Sequence, residues 1–183
     1  MTEVRIRRLK PDDDRSRFQS GDPDLDRYFQ RFAGQNQFRH HLGVSYVAEA
    51  ASGLLGFVTV TPSAMEIDAL PPQVAKRLPR YPLPVLRVAR LAVAMSARGE
   101  GIGHMLLRFV LSLARRTATD IGCVGVVVDA KPGAEAFYRR FGFEVLETIE
   151  GELHERPEPK LMFLPISAIP AECVDTGTTA VDL

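Results

Sequence analysis

The chain of 183 residues contains no tryptophan, only two cysteines, and no apolar run near the ~20 residues that a membrane helix requires. Cys123 and Cys173 are too few for a disulfide framework or a cysteine-built zinc site. The first ten residues carry too much charge for the apolar core of a signal peptide. With 45% hydrophobic and 25% charged residues, the composition is that of a globular domain. We therefore expect a soluble, cytoplasmic protein without a metal site.

The formal net charge is zero, but the charges are unevenly distributed along the chain. Residues 76–116 contain nine Lys and Arg against one acid, Glu100, a surplus of +8. From Glu150 to the C-terminus, seven acids oppose two bases, a deficit of −5. A basic middle region is typical of proteins that bind a polyanion, such as a nucleotide cofactor or a nucleic acid. It equally fits a solvated basic face that the acidic segment neutralises, and the charges alone leave both interpretations open.

Hydrophobic periodicity and turn signals predict a mixed α/β domain with the order β-α-β-β and then β-α-β-α-β-β. Strands are predicted at residues 4–7, 43–51, 54–61, 85–94, 124–128, 143–146 and 161–166, and helices after Asp22 and at 101–118 and 134–141. Pro71-Pro72 is expected to start one further helical turn. The nearly all-apolar strand at 85–94 is expected to lie centrally in the sheet. We predict one domain over residues 1–167 and a C-terminal tail over 168–183.

A glycine-rich segment, R-G-E-G-I-G at residues 98–103, lies between the central strand and the longest predicted helix. Glycines let backbone N–H groups converge, and the first amides of a helix have no partner inside it, so this arrangement can bind an anion. The segment continues with His104-Met105 and so lacks the Lys-Ser/Thr of a Walker loop. It also lacks the third glycine of the dinucleotide-binding fingerprint. From the loop alone, a plain glycine-rich turn is the alternative.

Two motifs in this region resemble those of a known family. Arg98-x-x-Gly101-x-Gly103 resembles the Gln/Arg-x-x-Gly-x-Gly/Ala signature of the GNAT superfamily of N-acetyltransferases. The sequence A-E-A-F-Y-R-R-F-G-F at residues 134–143 is similar to that family's A-x-x-F-Y-x-x-x-G-F segment. The resemblance implies a single GNAT-like α/β (α+β) domain. Its central twisted sheet would be mixed, mostly antiparallel, of about six to seven strands, with about four flanking helices.

The resemblance also implies acetyl-CoA as the co-substrate and no metal. In this family the glycine loop holds the pyrophosphate through main-chain amides. The strand before the loop pairs with the pantetheine arm and polarises the thioester carbonyl. The cofactor-binding residues implied by position are Leu91, Ala92, Val93, Arg98, Gly99, Glu100, Gly101, Ile102, Gly103 and His104. Leu91 to Val93 also fit a plain core strand, and both roles are compatible.

Tyr138 lies where the family places its general acid. A phenol with a pKa near ~10 is protonated at neutral pH and can donate its proton to the departing thiolate of CoA. The alternative is a core tyrosine within an aromatic cluster. No general base is marked by its spacing; the candidates are Glu66, Asp68, His40 and His41. The lack of a base favours an α-amine acceptor, whose pKa of ~7.7–8.0 leaves it partly neutral.

The N-terminal half resembles the acetyltransferase toxins of type II toxin–antitoxin pairs. The motifs are F-x-S-G-x-x-x-L-D-x-Y at residues 18–28, Q-N at 35–36, Y-P-x-P-V at 81–85 and R-L-A-V at 90–93. Those toxins acetylate the α-amine of aminoacyl-tRNA. The resemblance therefore implies aminoacyl-tRNA and a small antitoxin protein as partners, a homodimer, and no membrane association.

Three functions stay open at this point. The first is an acetyl-CoA-dependent toxin acting on charged tRNA, and the second is an acetyltransferase of a small-molecule, peptide or protein amine. The third is a CoA-binding regulatory module without turnover, against which Tyr138 argues. For the first function, arginines of the basic region would contact the tRNA backbone. These predicted substrate-binding residues are Arg77, Arg80, Arg87, Arg90, Arg115 and Arg116.

Overall fold

The structure is a computed structural model that describes residues 3–146 and 159–171. Cys173, the acidic residues from Glu150 to Glu158 and most of the predicted tail lie outside the described residues. The described residues form two compact units. The first unit contains the chain up to Pro62 together with Arg87–Val110, and the second contains Ser63–Leu86 together with the chain from Leu111 onward.

The first unit combines antiparallel strands with one helical segment. Its elements in chain order are β1 (Arg5–Arg8), α1 (Pro23–Arg27), a π-helical turn (Tyr28–Phe32), α2 (Ala33–Phe38), β2 (Val44–Ala50) and β3 (Gly53–Met65). Strands β1 and β3 each pair antiparallel with β2. Asp22 caps α1 by accepting from the N–H groups of Asp24 and Leu25, with Pro23 in the first turn, as the sequence predicts.

Aromatic side chains of the helical segment pack against β3. Phe29 and Phe57 are fully buried, and their stacked rings lie 4.1 Å apart between centroids. Phe18 meets both rings edge-on. The sequence places Phe32 on the same helix face, but its side chain is 46% exposed. The π-helical turn widens the spacing from four residues to five, so Ala33 takes the buried position instead.

Three long elements contribute residues to both units: β3, whose last three residues belong to the second unit, β4 (Leu83–Val93) and α4 (Ile102–Asp120). The helical spacing of apolar residues at Met105, Leu106, Phe109, Val110 and Leu113 predicts this helix. The structure buries Leu106 and Val110 of that set, together with Ile102, Leu107, Leu111 and Ala114. Met105 is 37% exposed, so the apolar spacing and the buried face do not coincide there.

The second unit contributes shorter helices and strands. It contains α3 (Pro72–Ala75), β5 (Gly125–Ala130), α5 (Glu135–Arg139), β6 (Glu144–Val145) and β7 (Lys160–Pro165). Strand β7 pairs antiparallel with both β5 and β6. The strand order is β1-β2-β3-β4-β5-β7-β6, so β4 is the middle strand of seven, as predicted. With the segment from α1 to α2 counted as one helix, the described chain has the predicted four helices and seven strands.

The end of the described chain is anchored to α4. Ile169 lies inside the predicted tail, yet it is only 2% exposed. Its carbonyl oxygen accepts a hydrogen bond from Nη1 of Arg115 at 2.7 Å. The boundary between residues 167 and 168 stays a prediction. Within residues 3–146 and 159–171, no helix is both long enough and apolar enough to cross a membrane.

Candidate active site

The glycine loop leads into the first turn of α4. Gly99 has φ +81° and Gly101 has φ +79°, a backbone conformation that other residues rarely adopt. A Cβ at either glycine would meet nothing within 4 Å, so the loop is open at both positions. The N–H of Met105 donates to the carbonyl of Gly101, so the N–H groups of Ile102 and Gly103 precede the hydrogen-bond ladder of the helix. This arrangement fits a diphosphate.

The segment after β4 is held by backbone hydrogen bonds to two other segments of the first unit. The N–H of Ala94 donates to the carbonyl of Leu55 in β3 at 2.8 Å. The N–H of Met95 donates to the carbonyl of Gln19 in the loop before α1, also at 2.8 Å. The backbone leading to the glycine loop is therefore fixed before any ligand binds.

Close packing brings β3, β4 and the start of α4 together at Gly56. A Cβ at Gly56 would lie 2.9 Å from the carbonyl oxygen of Ala92 and 3.0 Å from Cγ2 of Ile102. Only glycine fits this approach without a shift of the backbone. Of the β4 residues predicted to bind the cofactor, Ala92 is buried, whereas Leu91 and Val93 are half-buried.

Arg98 directs its side chain toward the loop that precedes α1. Its Nη2 donates a hydrogen bond to the carbonyl oxygen of Ser20. A Cβ at Gly21 would lie 2.9 Å from that nitrogen, and the φ of +91° at this position is one that residues other than glycine rarely adopt. A cavity of about 280 Å³ adjoins this contact, lined by Ser20, Gly21, Asp22, Leu25, Ala92, Val93 and Arg98. Apart from the Ser-Gly pair of the N-terminal motif, no sequence signal indicates this contact.

Tyr138 belongs to the second unit and lies in α5. Its side chain is 6% exposed and contacts Phe137 and Phe143 edge-on, with ring centroids 5.1 and 5.6 Å away. Burial raises the pKa of its phenol to about 12. The phenol is therefore neutral at physiological pH and has a proton to donate. Gly142, with φ +92°, supplies the turn that follows the helix.

A charged cluster occupies another part of the first unit, beside a second cavity of about 650 Å³ that Asp13 and Glu49 help to line. Arg7 donates to Glu49 at 2.7 Å and to Asp13 at 2.8 Å. The guanidinium holds the pKa of both carboxyl groups below their usual values. A carboxylate with a lowered pKa is a poor proton acceptor, so this cluster does not supply a base. The base candidates from the sequence, Glu66, Asp68, His40 and His41, are all exposed.

Neither metal chemistry nor a reactive thiol is indicated among the described residues. No group of three or more His, Cys, Asp or Glu side chains within residues 3–146 and 159–171 is arranged to hold a metal ion. Cys123 is buried, and burial raises the pKa of its thiol. A protonated, buried thiol is not a nucleophile.

Comparison with known proteins identifies the family. A model of the GNAT acetyltransferase domain matches residues 41–145. The chain belongs to the GNAT acetyltransferase family. A GNAT enzyme uses acetyl-CoA as its co-substrate, so the chain is an acetyl-CoA-dependent N-acetyltransferase, as predicted.

Individual GNAT relatives are similar along most of the chain. A protein of Mycobacterium tuberculosis named tRNA-acetylating toxin is 33% identical over 145 residues, which cover 78% of this chain and 85% of the relative. AtaT complexed with acetyl-methionyl-tRNAfMet has a TM-score of 0.80 at 23% identity, over 91% of this chain and 96% of that chain. An AtaT tyrosine-to-phenylalanine mutant, bound to the C-terminus of the antitoxin AtaR and acetyl-CoA, has a TM-score of 0.73 at 20% identity, over 90% and 94%. These likenesses confirm the predicted GNAT-like α/β fold with its mixed sheet.

The six arginines predicted to bind the acceptor of this GNAT enzyme differ in their surroundings. Arg90 has its Cζ 3.8 Å from the centroid of the Tyr28 ring, and Arg115 donates to the carbonyl of Ile169. Arg77, Arg80 and Arg116 are exposed, and Arg87 is half-buried. Their role toward an acceptor stays a prediction.

Proposed function

We propose that this GNAT enzyme transfers the acetyl group of acetyl-CoA to the α-amine of aminoacyl-tRNA and is the toxin of a toxin–antitoxin pair. The observation that carries the proposal is the 33% identity, over 145 residues, to a protein named tRNA-acetylating toxin. The complex of the structurally similar AtaT with acetyl-methionyl-tRNAfMet supports the same acceptor. The absence of an assigned base is consistent with it, because an α-amine is partly neutral at about pH 7.

The proposed cofactor site follows the predicted residues. Within the predicted segment 98–104, the N–H groups of Gly99 and of residues 101–104 hold the diphosphate of acetyl-CoA, whereas those of Arg98 and Glu100 donate to the carbonyls of Met95 and Ala97. The backbone of residues 91–93 pairs with the pantetheine arm. The left-handed conformations of Gly99 and Gly101 and their open surroundings support this arrangement. The N-terminus of α4 adds partial positive charge at the same point.

The proposed reaction is a direct transfer with Tyr138 as the proton donor. The neutral α-amine attacks the thioester carbonyl carbon, a C–N bond forms, and the C–S bond breaks. The CoA thiolate takes the phenol proton of Tyr138, and the amine releases one proton to solvent, from which the phenoxide is reprotonated. The buried phenol is neutral at physiological pH, so a proton is available before each turnover.

The decisive experiment offers the purified chain acetyl-CoA together with charged tRNA, uncharged tRNA, free amino acids and short peptides. After nuclease digestion, mass spectrometry detects N-acetyl-aminoacyl-adenosine. We expect acetylation of the charged tRNA and none of the uncharged tRNA. Rapid acetylation of free amines or peptides, with charged tRNA left unmodified, would overturn the proposal in favour of a small-molecule or peptide acetyltransferase.

The proposal also includes a small antitoxin protein as partner, a cytoplasmic location and a homodimer. The AtaT structure bound to the C-terminus of AtaR supports the antitoxin. The resemblance to such toxins is the basis for the homodimer, and the composition with only two cysteines is the basis for the compartment. Light scattering coupled to size-exclusion chromatography measures the assembly, and a monomeric mass would contradict the dimer.

A further inference from the structure

The side chain of Arg98, the first residue of the cofactor-binding signature, is directed at the loop before α1. Its guanidinium donates to the carbonyl oxygen of Ser20 in that loop. Gly21 leaves room for this approach, because a Cβ there would lie 2.9 Å from the same nitrogen. Both observations lie within the first unit.

The loop that Arg98 contacts is itself bound to α1 by several hydrogen bonds. Ser20 is only 5% exposed, and both its N–H and its hydroxyl donate to Oδ1 of Asp26, at 2.8 and 2.6 Å. The hydroxyl of Ser20 also accepts from the N–H of Asp22, which caps the helix. Asp26 thus orients the carbonyl that Arg98 binds, and it does so through Ser20.

We propose that Arg98 is a positioning residue. Its side chain links the glycine loop to the Ser20–Asp22 loop and so fixes the position of the glycine loop relative to the cavity beside α1. Residues of both loops line the cavity of about 280 Å³, together with Ala92 and Val93 of β4 and Leu25 of α1. The main-chain N–H of Arg98 donates to the carbonyl oxygen of Met95, and its side chain acts through Ser20.

The hydrogen bonds from Arg98 to Ser20 and from Ser20 to Asp26 couple the glycine loop to α1 energetically as well as structurally. If acetyl-CoA binds the glycine loop best when the Arg98–Ser20 bond is formed, then a substitution at Asp26 that weakens this bond must also weaken cofactor binding. A direct charge contact between Arg98 and a phosphate would instead be independent of Asp26. The two explanations therefore predict different results for the same pair of substitutions.

The test is a double-mutant cycle read by the Kd of the full chain for acetyl-CoA, measured calorimetrically at a temperature where every variant is folded. The variants are Arg98→Ala, Asp26→Ala and the double variant. We expect Asp26→Ala alone to raise the Kd about tenfold, because it removes the oxygen that accepts from the N–H and hydroxyl of Ser20. The double variant should be little worse than Arg98→Ala, because both substitutions remove the same connection. An unchanged Kd for Asp26→Ala, with Arg98→Ala still weak, would overturn the proposal.

Two further variants sharpen the result. Asp24→Ala removes another carboxylate of α1, whose side chain pairs with the exposed Arg27, and should leave the Kd unchanged. Arg98→Gln loses the positive charge but keeps an N–H donor, and glutamine is the other residue that the family signature accepts at this position. We expect Arg98→Gln to bind acetyl-CoA more tightly than Arg98→Ala. A Kd equal to that of Arg98→Ala would mean that the charge alone matters and would contradict the positioning role. The cycle uses acetyl-CoA only, so its outcome does not depend on tRNA as acceptor.

Discussion

At the scale of single residues, the proposed chemistry depends on the phenol of Tyr138. Replacing Tyr138 by Phe removes only the hydroxyl, since the ring still packs against Phe137 and Phe143. We expect turnover to fall about 100-fold at an unchanged Kd for acetyl-CoA, because general acid catalysis contributes ~10²–10⁴-fold. Steady-state kinetics and calorimetric binding measure the two quantities. The exposed Tyr81 offers the control: Tyr81→Phe should keep full turnover, and equal turnover for Tyr138→Phe would exclude Tyr138 as the acid.

The buried phenol also gives the protein a specific dependence of stability on pH. The pKa of Tyr138 is about 12 in the folded chain, against 10.0 for an unperturbed tyrosine. Between these values the unfolded chain loses the proton while the folded chain keeps it, so stability falls as pH rises above about 10. The free energy of unfolding should decrease by ~1.4 kcal/mol per pH unit in this range, relative to Tyr138→Phe. Urea unfolding at about pH 9 and about pH 11 measures the difference, and parallel curves for the two proteins would contradict the assignment.

The residue types in the sequence indicated the chemistry of the site, but they did not indicate which residues are in contact with each other. The glycines of the loop were recognisable because a turn into a helix demands their conformations. Nothing local indicated that Arg90 lies over the ring of Tyr28 or that Arg98 binds the carbonyl of Ser20. Such contacts join segments far apart in the chain, and only the folded backbone determines which donor reaches which acceptor.

At the scale of elements, the proposed cofactor site depends on the junction between the glycine loop and α4. Gly103 belongs to the first turn of α4, ahead of the first helical hydrogen bond from Met105. In Gly103→Glu a carboxylate would occupy this site and repel the diphosphate. We expect the Kd for acetyl-CoA to rise at least about 100-fold, with the fold retained, as measured by calorimetry and circular dichroism.

Ile121 provides the matched control for that substitution. It follows the last residue of α4 and is 87% exposed, so Ile121→Glu adds the same charge beyond the other end of the helix. Its Kd for acetyl-CoA should equal that of the wild type. Wild-type affinity of Gly103→Glu as well would mean that the glycine loop does not hold the cofactor.

The elements themselves were largely predictable, and the exceptions have local physical causes. Alternation and capping signals located every strand and the start of α1, because strand and helix periods differ clearly. The π-helical turn was missed because one wider turn changes no residue type, yet it exposes Phe32 and buries Ala33. The position of β7 between β5 and β6 could not be predicted either, because strand order depends on pairing between segments that are distant in the sequence.

At the scale of the whole molecule, the question is which basic side chains are available to a polyanion. The sequence predicted six arginines for this role, but Arg90 and Arg115 have partners within the protein. Arg77, Arg80 and Arg116 are exposed and carry no ion pair among the described residues. Exposed cations that lack internal partners are the ones that can displace counterions from a phosphate backbone.

The triple variant Arg77→Gln, Arg80→Gln and Arg116→Gln therefore tests the proposed acceptor. If these side chains contact phosphates, affinity for aminoacyl-tRNA falls, and the slope of log K against log salt shrinks by about one unit for each phosphate that is no longer neutralised. Filter binding over a range of salt concentrations measures both. Arg115→Gln is the comparison, because removing its bond to the Ile169 carbonyl should lower stability while leaving the slope unchanged. A triple variant with the wild-type slope would remove these arginines from the RNA contact, even if the enzyme still acetylates charged tRNA.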